Sequence, residues 1–242
     1  MTQNFSQILQ TAHAYRPQRV ALTMLHTGQP DQPITLDDLL CGAAAYADAL
    51  QAAAIQPGEV VAILGAGGAV GLLHQQLALQ AGARQIIAIG HSDTRLEVAR
   101  QLGAAITINA HREDTVQAVR ELSGGYGADV VIECAGTQHA WETAVETVRR
   151  GGRVLWFGGL PAGTRVSVDA ARVHYGEINL INIHGGTAAD SRTAFDLIVN
   201  QKIQVQPLIS GQYPLEQLET ALHRMANGEA LKIAILPDLR GA

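Results

Sequence analysis

From Glu59 onward, apolar residues come in short unbroken runs separated by stretches where they recur every three or four positions. The runs are EVVAIL, RQIIAIG, AITIN, ADVVIECAG, GRVLWFGG and INLINIHGG. Runs without polar alternation predict strands covered on both faces. The intervening periodicity predicts helices from about Val70 to Ala81, over TRLEVARQL, over DTVQAVRELSGG and from about Ala140. In the last of these, Ala140, Trp141, Ala144, Val145 and Val148 share one face. Arg149 and Arg150 are expected beside its negative pole, with Gly151 just beyond it. Strands alternating with helices of this length require right-handed crossovers, so the fold class is α/β with a doubly wound parallel sheet.

The flanks follow other rhythms. Before Pro57 the pattern predicts a helix, a short strand RVALTML, a loop HTGQPDQP and an Ala-rich helix from about Thr35 to Ile55. Thr35 suits an N-cap, Asp37 and Asp38 suit the positive pole, and Pro57-Gly58 stops the helix. After Gly186 come a helix from about Ala188 to Val199, a short segment VQPLIS, a helix from Pro214 to about Asn227 and a strand LKIAILP. The chain therefore divides into a short α/β N-terminal segment (1–57), a central unit (58–186) and a C-terminal extension (187–242). LKIAILP would leave backbone groups unpaired, so it is expected to join RVALTML or to be covered by a partner chain.

Composition narrows the function classes. In the 242 residues, 47% are hydrophobic and 16% charged, which fits a well-buried globular protein. The net charge of −5, with scattered Lys and Arg, provides no basic stripe for nucleic acid. No apolar stretch reaches the roughly 20 residues of a membrane span. MTQNFSQILQ lacks the pattern of a secretory signal, so a cytoplasmic location is expected. Two cysteines, Cys41 and Cys134, make no disulfide framework and read as small buried residues.

The chemistry concentrates in GAGGAVG, residues 65–71, directly after one apolar strand and directly before a helix. Small residues there let a pyrophosphate approach the backbone, and the amides of the helix start face the anion. Gly65, Gly68 and Gly71 fit GxxGxxG, with Gly67 additional and Ala69 and Val70 completing the turn. This places a Rossmann-type dinucleotide site on the central unit. At the end of the second strand, IIAIGHSDTR, Gly90 stands where a carboxylate would hold the ribose hydroxyls and repel a 2′-phosphate. With His91, Ser92 and Arg95 within reach, this favours NADP over NAD. NAD stays open if Asp93 caps the next helix and Arg95 only stacks on adenine.

The strings PGEVVAILGAGG, RLEVARQLGA, GADVVIECAGTQHAWETAVETVRRGGRVLWFGG and AFDLIVNQKIQVQPLISGQYPLEQLETALHRMANGEALKIAILP resemble zinc-type medium-chain dehydrogenases of the sorbitol and threonine type. The resemblance implies that Arg95 contacts the adenosine end of the cofactor. It also implies that Ala135, Gly136, Gly158, Gly159 and Leu160 line the nicotinamide channel, with a further contact at His184. It implies a homodimer joined through the strand Ile178 to His184, whose apolar residues would otherwise meet water, and a small alcohol or carbonyl substrate.

The family's catalytic zinc set of a cysteine, a His-Glu pair and another ligand has no counterpart before Glu59, so no zinc site and no catalytic residue are assigned. Residues up to about 60 instead resemble the N-terminus of adenylate-forming acyl ligases, with a helix, a strand hairpin and a helix opening on ITLDDL. No Ser/Thr/Gly-rich ATP loop follows, so adenylation is not supported. The sequence reads best as the cofactor-binding half of an alcohol or polyol dehydrogenase. The other readings are a cofactor-binding scaffold without turnover and, less well supported, a fragment of an acyl-adenylating enzyme.

Overall fold

The computed structural model describes residues 20–24, 32–35, 52–183 and 188–236. Its centre is a six-stranded parallel sheet of β3 (Val60–Leu64), β4 (Gln85–Gly90), β5 (Ile106–Asn109), β6 (Ala128–Glu133), β7 (Val148–Trp156) and β8 (Asn179–Asn182). The spatial order β5-β4-β3-β6-β7-β8 reverses direction between β3 and β6, as in a Rossmann sheet. α1 (Ala69–Gln80) and α2 (Asp93–Gln101) cover one face, while α3 (Thr115–Leu122), α4 (Gln138–Thr147) and the short α5 (Ala170–Tyr175) cover the other.

The unbroken apolar runs are explained by this sandwich. Along β3, Val61 and Ile63 enter the α1/α2 layer, whereas Val60, Ala62 and Leu64 enter the α3/α4 layer. β4 divides in the same way, with Ile86 and Ala88 on one side and Ile87 and Ile89 on the other. Ile63, Ile86, Ile87, Val131, Ile132 and Leu155 are wholly buried, and each buried aliphatic side chain contributes about 1.5–3 kcal/mol.

Polar groups stitch the layers together. The Gln75 amide donates to Ala99 O across to α2 at 2.7 Å. Gln76 donates to Gln204 O at 3.0 Å and accepts from Gln204 N–H at 2.6 Å, tying α1 to the C-terminal extension.

Several expectations need correction. α4 ends at Thr147, so Arg149 and Arg150 lie on β7 and not at a helix end. Each has a competing partner there. Arg149 reaches the Asp129 carboxylate at 2.5 Å, and Arg150 donates to Tyr175 O. Gly151 does take a left-handed turn (φ 69°), with its N–H donating to Gly176 O.

The segment after α6 (Ala188–Val199) is not a bare connection. A 3₁₀ turn leads into a strand, β9 (Ile209–Pro214). After α7 (Leu218–Ala226), the last strand, β10 (Lys232–Leu236), pairs in parallel with β9 and not with RVALTML. RVALTML instead supplies β1 (Val20–Met24), antiparallel to β2 (Gln32–Thr35). The helix expected after Thr35 lies outside the described residues except for its end at Ala52 and Ala53.

Without a partner chain, the apolar residues of the edge around β8 are expected to meet water on at least one side. Ile178 is buried, whereas Leu180, Ile181 and Ile183 are only half-buried, Leu180 against one layer and Ile181 and Ile183 against the other. A thin edge strand between two helical layers borrows cover from both.

β6 carries a carboxylate at each end, and the two titrate in opposite senses. Burial alone would raise the Asp129 carboxyl, but the Val60 N–H and the Arg149 guanidinium outweigh it and hold the group below its ordinary value. Burial dominates at Glu133, which is wholly enclosed, and pushes that carboxyl up. A lowered value stabilises the fold above the ordinary carboxylate range and is lost as pH falls through the folded value. A raised value stabilises it below that range and is lost as pH rises through the folded value. Asp129→Asn is therefore expected to cost about 1 kcal/mol at neutral pH, the difference from wild type shrinking on acidification. Glu133→Gln is expected to gain on wild type as pH rises. Urea titrations at a series of pH values check both, and parallel wild-type and variant curves would contradict them.

Candidate dinucleotide-binding site

The strand-to-helix turn after β3 lies where the sheet order reverses, and its glycines answer to different demands. Gly65 has φ 78°, and a Cβ there would stand 2.8 Å from Ala135 N at the end of β6. A Cβ on Gly71 would stand 2.6 Å from both Ala66 Cα and Gly65 O. These two glycines are required by the protein's own backbone. A Cβ on Gly67 would press on Arg95 Cβ at 3.0 Å. Gly68 is different, because its Cβ would meet only Gly65 O at an ordinary 3.4 Å. The fold leaves room for a side chain at Gly68, so the protein's own packing does not require its smallness.

Gly68 is also the N-cap of α1, which has no side-chain cap and no acidic residue in its first turn. The amides of Ala69, Val70 and Gly71 open the helix there, a ready anion cradle. The residues present therefore fit a pyrophosphate.

The residues expected at the adenosine end stand at the ends of β4 and β5. A Cβ on Gly90 would lie 3.2 Å from Leu96 Cδ2 and 3.6 Å from Gly67 N, so the missing side chain would have pointed at the glycine loop. Ser92 and Thr94 share a hydroxyl hydrogen bond of 2.9 Å. Arg95, expected at the cofactor, sends its guanidinium to Gly228 O and so braces α7 against this end. Ser92 is the N-cap of α2, and Asp93 is its first helical residue without capping it. The Asp93 carboxylate instead accepts from Asn109 at 2.6 Å and pairs with Arg112 at 2.7 Å. These contacts, Asn109 first, hold it below the usual carboxylate range. A cleft of about 290 Å³ between α2 and β5 is lined by these same self-paired groups together with Arg100 and Thr107.

The residues expected at the nicotinamide end lie on two loops joined through one side chain. Glu133 Oε1 accepts from the N–H groups of Ala135 at 2.6 Å and Gly136 at 2.8 Å. Its backbone carbonyl accepts from Phe157 and Gly158. A Cβ on Gly158 would stand 2.4 Å from Gly136 N and 2.7 Å from Glu133 Oε2. Trp141 donates to Gly158 O at 2.8 Å, stacks on Trp156 at 4.4 Å, and accepts from it through its backbone carbonyl at 3.1 Å. Gly159 has open space around it, with Leu160 beside it half-buried. Ala135, Gly136, Gly158, Gly159 and Leu160 are thus gathered at one place. His184 lies outside the described residues.

Beneath these loops, His74 packs edge-on against Phe157 and its Nδ1 lies 3.7 Å from the Cys134 thiol. Burial lowers His74 to about 4 and pushes the thiol well above its usual value, so neither is a base or nucleophile at neutral pH. Among the described residues, no group of three or more His, Cys, Asp and Glu side chains could hold a metal. No helix among them is long and apolar enough to cross a membrane.

Sequence reasoning missed Glu133, Trp141 and His111 as parts of the site. Glu133 was hidden at the end of an apolar run, where a wholly buried carboxylate was itself a signal. His111 follows β5, and only sheet order places it beside His91, with the rings 4.3 Å apart.

Residues 69–200, more than half of the chain, match the family model described as zinc-binding dehydrogenase. Sorbitol dehydrogenase of Halalkalibacterium halodurans is 29% identical over 78% of this chain and 55% of its own length. L-threonine 3-dehydrogenase of Symbiobacterium thermophilum is 34% identical over 72% of this chain and 50% of its own. The alcohol dehydrogenase of Thermus sp. ATN1 superimposes with a TM-score of 0.74 and 30% identity, over 82% of this chain and 56% of that one. A structure from Sinorhizobium meliloti 1021, described as a zinc-binding dehydrogenase bound to NADP, gives 0.77 and 28% identity, over 85% and 60%. The chain spans about half the length of the curated relatives it matches. With its sheet order and glycine turn, this chain belongs to the zinc-binding dehydrogenase family and corresponds to the cofactor-binding half of its members.

Proposed function

We propose that the chain binds NADP(H) in preference to NAD(H), as the cofactor-binding half of an alcohol or polyol dehydrogenase acting on a small alcohol or carbonyl. The observation that carries the cofactor reading is Gly68, an uncapped helix start with space for a side chain that the sequence withholds. Gly90 supports the choice of NADP, since no carboxylate there opposes a 2′-phosphate.

In this reading the amides of Ala69, Val70 and Gly71 hold the pyrophosphate. The residues Gly90, His91, Ser92 and Arg95 surround the adenosine ribose. Ala135, Gly136, Gly158, Gly159 and Leu160, held by Glu133 and Trp141, seat the nicotinamide. A bound nicotinamide supplies or accepts the hydride. Polarising the substrate oxygen needs a further group. His74 and Cys134, both buried and neutral, do not serve, and this favours a second reading as a binding scaffold without turnover.

The central test is titration of NADPH and NADH, read by quenching of the Trp141–Trp156 pair beside the nicotinamide loop. NADPH is expected to bind more tightly, and equal or weaker binding would overturn the preference. Gly68→Asp should abolish binding of both cofactors while leaving thermal unfolding close to wild type, because a Cβ there meets no clash. A variant that still binds would sink the cofactor reading.

We also propose a homodimer through β8, which ends the six-stranded sheet and has β7 as its neighbour on one edge. The monomer mass is 25.6 kDa. Light scattering at micromolar concentration should give twice that, and a monomer across the range would refute the dimer.

A further inference from the structure

We infer that His91 and His111 together form a clamp for the phosphate ester on the adenosine ribose, and that this ring pair sets the preference between the two dinucleotides. The inference rests on the NADP reading above and assigns its specificity to residues of two strands.

The two rings stand at the carboxyl ends of neighbouring strands. Gly90 and Asn109 are partners in the β4–β5 ladder, and Ala110 N–H donates to Gly90 O at 2.9 Å. This hydrogen bond brings the next residues, His91 and His111, side by side. Their ring centroids are 4.3 Å apart at a tilt of 39°, and both residues are exposed. The His111 loop is held in shape, since His111 N–H donates to Asn109 Oδ1 at 3.1 Å. The N–H groups of Arg112 and Glu113 donate to Asn109 O.

An exposed imidazole pair gains little from burial, and two protonated rings at this spacing repel each other. A phosphate accepting one N–H from each ring turns that repulsion into two charge-assisted hydrogen bonds. The charged neighbours are largely committed elsewhere. On α2, Asp93 is paired with Arg112 and Asn109, and Arg95 donates to Gly228 O. Glu113 on the loop after β5 is exposed. The His91 and His111 rings have no hydrogen-bond partner among the described residues, which leaves their donors available. Gly90 completes the arrangement, because a carboxylate at that position would compete for the same imidazole donors.

The test uses adenosine 2′,5′-bisphosphate and adenosine 5′-monophosphate, which differ by the one phosphate in question. Calorimetric titration of the full chain compares wild type with His91→Leu, His111→Leu and the double variant. The double variant is expected to lose about tenfold or more in bisphosphate affinity and to stay within about twofold for the monophosphate. His111→Gln, which keeps a donor, should recover part of the loss. If wild type discriminates and the double variant keeps the full ratio, the clamp is overturned and the NADP reading stands. If both nucleotides weaken equally, the rings support adenosine in general and the clamp is likewise overturned. If wild type binds the two alike, the NADP reading and the clamp fall together. Thermal unfolding of each variant shows whether a loss reflects the site or the fold.

Discussion

The structure depends on one close approach, where the end of β3 meets the end of β6. The turn at Gly65 passes so near Ala135 that no side chain fits between them, and a few residues on, Gly71 lies equally close to the chain just after β3. That proximity brings the glycine turn after β3 and the loops after β6 and β7 together at the reversal of strand order, where a crevice opens in sheets of this kind. Glu133 extends the constraint to β7. Its side chain holds the loop after β6 and its carbonyl holds the loop after β7, and a Cβ on Gly158 would collide with the Gly136 backbone and with that carboxyl. A dinucleotide bound there would meet three strand ends that are already fixed relative to one another.

Fixing them carries an electrostatic cost. Glu133 is a wholly buried carboxyl on a strand that also carries Asp129, and the two ends solve the problem differently. At the amino end, partial solvent contact, a backbone N–H and Arg149 keep the charge favourable. At the carboxyl end burial outweighs the hydrogen bonds made to the carboxyl and pushes it above the ordinary carboxylate value.

The parts of this architecture legible in the sequence are those in which one physical demand acts alone. β3, β4 and β6 are covered on both faces, so their apolar runs could mean only buried strands, and α1 and α2 follow from the spacing between them. Legibility fails where two demands compete. Arg149 and Arg150 suit a helix end by charge, yet Asp129 and Tyr175 O draw them into β7. By sequence the last strand matches RVALTML or a partner chain because β9, which pairs with it, is interrupted by Gly211 and closed by Pro214, poor strand residues by propensity. α5 announced itself only by Asp169, which caps it through the Ala171 and Arg172 amides. His111 was illegible for a topological reason. Its neighbour His91 is 20 positions away in the chain, and the strand order alone decides that they touch.

The same distinction separates structural glycines from ligand-driven ones. Gly65, Gly71 and Gly158 would each collide with this protein's own backbone, so their smallness says nothing about a cofactor. Gly68 would collide with nothing closer than an ordinary contact, and a Cβ at Gly90 would press on Leu96 Cδ2 at 3.2 Å without meeting any backbone atom closer than Gly67 N at 3.6 Å. Internal packing therefore underdetermines these two positions. Gly68 faces the open start of α1, and Gly90 precedes the paired imidazoles at the ends of β4 and β5. In the proposed reading, one gap admits the pyrophosphate and the other leaves out a carboxylate that would oppose a phosphorylated ribose.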